Sequence, residues 1–139
     1  MSLPRATFFA GLLSLIVNLI ILYFARPLAP NFLPLSVAPV CLWTILGTIG
    51  ACGTFALIRR WSSNPNRIFL IVASIVLLFS FIPDYMTLHS SNAAFKGATP
   101  KAAATLMLMH VVVAVIATSF FLRVRQVSGD ASHLKTLSP

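Results

Sequence analysis

Four long apolar runs, each bounded by basic residues, leave this chain few ways to fold. They cover residues 6–25 between Arg5 and Arg26, 37–58 ahead of Arg59 and Arg60, 68–88 after Arg67, and 102–122 between Lys101 and Arg123. A helix crosses a hydrocarbon slab of about 30 Å with about 20 residues. The first, second and fourth runs reach that length directly. The third reaches it only by continuing past Pro83 and Asp84 to Leu88, which membrane helices tolerate at the loss of one backbone hydrogen bond. A spanning β-strand would alternate in polarity over about ten residues. These runs are apolar on every side, so helices are expected.

Charge supports the same conclusion. Only 9% of the residues are charged and 58% are apolar, whereas a soluble domain carries about 25% charged residues. Too few charges exist to cover a water-facing surface, so the outside of the fold must face lipid. The net charge of +8 comes from ten Lys and Arg against Asp84 and Asp130. Those cations flank the apolar runs instead of clustering on one face, and no nucleic-acid motif accompanies them, so nucleic acid is not an expected partner.

The flanks also set an orientation. Arg5, Arg59, Arg60, Arg67, Arg123, Arg125 and Lys135 would share one side, and Arg26, Lys96 and Lys101 the other. The positive-inside rule then places both termini in the cytoplasm. The expected architecture is an all-α, integral membrane four-helix bundle, up-down-up-down, occupying residues 1–125. A polar tail, 126–139, is expected to be disordered. The first run lacks a small-x-small cleavage site at its exit, Tyr23-Phe24-Ala25-Arg26-Pro27, so it is expected to stay as a helix. Pro27, Pro30 and Pro34 predict an extended, stiff first loop. The aromatics Phe8, Phe9, Tyr23, Phe24, Trp43, Trp61 and Tyr85 collect towards the run ends, as interfacial anchors do.

Few residues could carry chemistry. His110 lies mid-run on the helical face of Leu106, Met107, Ala114 and Ala117. An ionisable residue inside a membrane is a functional candidate whose partner should be named. Asp84 is the only acid in reach. Counting inward at about 1.5 Å per residue puts the two within about 5 Å of the same depth. Asn18 falls near that level, and Ser80 lies one turn from Asp84 on the same face. Asn18, Ser80, Asp84 and His110 therefore form a candidate polar cluster. It could be a proton relay or ligand pocket. The plainer reading, interhelical hydrogen bonding at about 0.6 kcal/mol per contact, ranks ahead of it.

Gly47, Gly50, Ala51 and Thr54 share one face of the second run at three- and four-residue spacing. Small residues let helix backbones approach closely, so this is the expected packing face, within the chain or between copies. Cys41 and Cys52 lie about 16 Å apart along one helix, too far for a disulfide, which needs less than roughly 7 Å. His89, His110 and His133 have no metal-ligand spacing. No catalytic motif, cofactor or metal site is read from the sequence.

Three segments carry a resemblance: Arg67-Ile68-Phe69-Leu70 leading to Phe79-Ser80-Phe81-Ile82-Pro83-Asp84, then Gly97-Ala98-Thr99, then Leu106-Met107-Leu108-Met109-His110. They resemble the DUF6069 family of small bacterial four-helix membrane proteins. The resemblance implies the four-helix fold, a bacterial cytoplasmic membrane location, and interest in Asp84 and His110. It implies no activity.

Three functions remain open. The first is a structural or accessory subunit, packing against itself or a larger membrane complex and not an enzyme. The second is a small oligomeric carrier or proton-coupled transporter using the Asp84–His110 cluster. The chain is similar in size to small multidrug transporters, yet it has no first-helix Glu; its polar residue there is Asn18. The third, ranked last, is a redox subunit offering His110 as a ligand.

Overall fold

A computed structural model describes residues 1–124, and it is all-α. Four helices, α1 (Leu3–Ala25), α2 (Val37–Trp61), α3 (Pro65–Met86) and α4 (Pro100–Phe121), form a bundle. All four are long and apolar enough to cross a membrane. α1, α3 and α4 begin ahead of their apolar runs, at prolines. Pro4, Pro65 and Pro100 stand in the first turns of α1, α3 and α4, where a missing N–H costs nothing and the fixed φ suits the helix. Thr99 caps α4 by accepting a hydrogen bond from the Ala102 N–H at 3.1 Å. Pro83 is inside α3, which runs on to Met86 and passes into a 3₁₀ turn at Thr87–His89. Leu88 therefore falls in that turn and not in the α-helix. Arg125 and the expected tail, with Asp130, His133 and Lys135, lie outside the described residues.

The first loop differs from the extended segment that its prolines predict. It contains 3₁₀ turns at Arg26–Leu28 and Leu33–Leu35. Pro27 and Pro34 hold the middle of each, and a proline's φ near −65° suits a 3₁₀ turn as well as extended chain. The loop then folds inward: Ala29, Phe32 and Leu35 are buried with Leu22, Val40, Ala102 and Met109. The second loop lies against it at Gly97, the one described residue with positive φ (84°). A Cβ there would stand 3.4 Å from the backbone of Asn31.

The opposite end is closed by three buried rings. Phe55 meets Phe69 edge-on at 5.0 Å and stacks on Phe121 at 5.7 Å. Between the two apolar ends α1 presents Ala6, Ala10, Ser14, Asn18 and Leu22, all buried. Their spacing of four places them in one stripe, and their small size brings α1 close to both α2 and α4, its main neighbours. The close-packed seam of small residues thus belongs to α1. By contrast, α2 and α3 touch only lightly. They meet at Phe55 and Phe69 and leave a groove along the rest of their length.

Candidate functional site

That groove encloses a cavity of about 680 Å³, walled by α2 and α3 and floored by α4. Most of its lining is aliphatic or aromatic, and its polar lining includes Asn18, Thr44, Ser80, Asp84 and His110. The four residues of the sequence-derived cluster therefore border one space.

Asp84 sits on the last turn of α3 with its side chain 9% exposed, and His110 faces it from α4 with its side chain 40% exposed. His110 Nδ1 lies 3.0 Å from Asp84 Oδ2. It lies equally close, 3.0 Å, to the Leu106 carbonyl one turn back. A ring N–H has a single in-plane direction. The carbonyl lies along it, so Asp84 Oδ2 has His110 as an ion-pair neighbour but receives no hydrogen bond. The Thr87 hydroxyl donates to the Asp84 backbone carbonyl at 2.7 Å, which ties the end of α3 to the following turn.

Asn18 is buried, and its Nδ2 donates to Thr44 Oγ1 at 2.9 Å. Thr48 in turn donates to the Thr44 carbonyl at 2.9 Å. The Asn18 partner is thus Thr44 on α2, which the sequence reading did not single out. Thr44 and Thr48 are one turn apart in the middle of an apolar run, and that spacing was the available signal. Asn18 Oδ1 has no partner. Ser80 donates to its own helix at Leu77, 2.7 Å away, so it touches neither Asp84 nor His110 by hydrogen bond.

Gly47, Gly50, Ala51 and Thr54 all line the groove. Gly47 is approached by a methyl of Val113 at 3.7 Å from where a Cβ would stand and Gly50 faces open space, while Ala51 packs against the cluster of Phe55, Phe69 and Phe121. The small face is the groove's smooth wall. Arg59 and Arg60 end α2, where positive charge suits the helix C-terminus. Arg59 also lies over the Phe55 ring at 5.8 Å. Arg67 lies in the first turn of α3, and Arg123 follows α4. Cys41 and Cys52 are free thiols, and Thr7 donates to Cys52 Sγ at 2.9 Å. Among the described residues no three His, Cys, Asp or Glu side chains gather as a metal site would require.

A family model matches residues 2–126, that of DUF6069, described as a family of unknown function. No curated protein and no solved structure matches the chain.

Proposed function

The chain belongs to the DUF6069 family, and on that premise we propose that it binds a small amphiphile in the groove between α2 and α3 and, as an oligomer, carries it. It is a small multi-pass membrane protein. One observation supports the finer reading. A buried carboxylate oxygen, 3.0 Å from a histidine, receives no hydrogen bond and stands beside a cavity of about 680 Å³. Small-molecule sites are mostly apolar clefts of about 300–1,000 Å³ with a few convergent polar groups, and they occur between the helices of bundles. A buried acceptor that receives no hydrogen bond costs about 1–3 kcal/mol, so an occupant that donates to Asp84 Oδ2 is favoured.

The accessory-subunit reading is second, and the open space at Gly50 favours it. A partner's transmembrane helix could lie along the smooth wall. Its apolar side chains would still leave the oxygens of Asp84 and Asn18 without a hydrogen bond, which is why the amphiphile ranks first. Both readings keep the up-down-up-down arrangement with cytoplasmic termini in a bacterial cytoplasmic membrane, and a binding protein with no catalytic role or cofactor.

Native mass spectrometry after gentle extraction tests the choice. The expected result is an amphiphile bound to the wild-type chain and absent from Gly50→Leu, whose new side chain enters open space. A stoichiometric protein partner with no bound small molecule would overturn the reading in favour of the accessory subunit.

A further inference from the structure

The groove's polar groups restrict what can occupy it. Two oxygens of groove-lining residues, Asp84 Oδ2 and Asn18 Oδ1, have no hydrogen-bond partner. Both belong to side chains more than nine-tenths buried. Both are acceptors, so the matching headgroup must donate. The remaining lining is apolar and fits a hydrocarbon chain.

Charge narrows the headgroup further. Among the described residues that line the groove, Asp84 is the sole acid and His110 the sole base, and none is Lys or Arg. A bare carboxylate in apolar surroundings is strongly disfavoured unless its charge is balanced. The group placed to balance a carboxylate at Asp84 is the His110 ring 3.0 Å away, as an imidazolium. An alcohol headgroup supplies one donor and leaves that balance unchanged. A primary ammonium supplies three donors, enough for both oxygens, and its own positive charge. Two positive charges facing one carboxylate in an apolar cleft would repel each other.

Building on the amphiphile reading, we propose that the groove binds a long-chain primary amine through Asp84 and Asn18 and releases one proton for each amine bound. R–NH3⁺ enters and its N–H groups donate to Asp84 Oδ2 and Asn18 Oδ1. The proton held by the pair leaves to water, and His110 is left neutral. One positive charge enters and one departs, and no covalent bond changes. The same exchange lets an opposing proton gradient drive the amine.

The test uses the full chain in phosphatidylcholine nanodiscs, with empty discs as the blank. Three probes share one tail: dodecylamine, dodecyltrimethylammonium (charge without donors) and dodecanol (a donor without charge). Trp43 fluorescence reports binding, because Trp43 lines the groove. A pH indicator in weak buffer reports proton release. Dodecylamine is expected to bind roughly ten-fold tighter than either control, the scale of one charge-assisted hydrogen bond. It should release about one proton per chain, as linkage requires for a displaced proton. Asp84→Asn, with helix content checked by circular dichroism, should release none.

Equal binding of dodecanol without proton release would sink the amine proposal and leave the amphiphile reading standing. Binding of none of the three would remove both. Discs containing phosphatidylethanolamine identify the source of the ammonium group. Competition with dodecylamine makes the lipid headgroup the natural occupant, and its absence makes the occupant a free single-chain amine.

Discussion

Replacing Asp84 with leucine separates a structural role from a binding role. The Asp84 side chain is buried, its Oδ2 receives no hydrogen bond, and a buried acceptor in that state costs about 1–3 kcal/mol. Against this stands the loss of its approach to His110 at 3.0 Å. Polar contacts between membrane helices average about 0.6 kcal/mol and reach about 1.7 kcal/mol. His110 keeps its bond to the Leu106 carbonyl, and the bond from Thr87 goes to the Asp84 backbone and survives. The net change for Asp84→Leu thus runs from about 0.7 kcal/mol of destabilisation to about 2.4 kcal/mol of stabilisation. Reversible unfolding in mixed micelles, followed by circular dichroism, measures it. A loss of more than about 2 kcal/mol would show that the pair holds α3 to α4 and that the carboxylate is a tether rather than a binding group.

Gly97→Ala should destabilise the chain by about 1–2 kcal/mol, because alanine disfavours positive φ and its Cβ would press on Asn31; a lower midpoint in a thermal melt is the check. Thr99→Ala removes the cap at Ala102 and should cost about 1 kcal/mol, visible in the same melt. Gly50→Ala adds a methyl into open space and should leave the melt unchanged or raised, so a clear drop would mean that α2 packs more tightly than described. A reporter active only outside the cytoplasm should be silent when fused after Pro139, and its activity there would reverse the proposed orientation.

The four helices were legible because membrane thickness imposes a length that the runs display. The end of α1 at Ala25 and the start of α2 at Val37 were legible too, but the starts of α3 and α4 were not, since Pro65 and Pro100 begin them before the apolar residues do. The meeting of Asp84 with His110 was half legible. Counting gave a shared depth, but rotation about each helix axis decides contact, and packing sets that rotation. Asn18 shows the same limit: its depth was readable, while its bond to Thr44 depends on how α1 turns towards α2. The stripe of Ala6, Ala10, Ser14, Asn18 and Leu22 was present at a spacing of four, yet the glycines of α2 drew attention first. Small residues state that close approach is allowed; they do not say which helix accepts it. Within the chain α1 uses that freedom, while on α2 Gly47 meets Val113 and Gly50 faces open space.

The light contact between α2 and α3 sets where a visitor comes from. A cleft between two helices that both face lipid opens sideways into the hydrocarbon, so the bilayer itself is the reservoir. Occupancy would then follow the mole fraction of ligand in the membrane, not its concentration in water. Each added methylene contributes about 0.8 kcal/mol towards entering the lipid, so chain length sets much of the apparent affinity before the protein is met. On the proposed amphiphile reading, what the protein adds is discrimination at the head. Dose–response curves recorded at different lipid loads should shift along the aqueous axis and coincide when plotted per lipid.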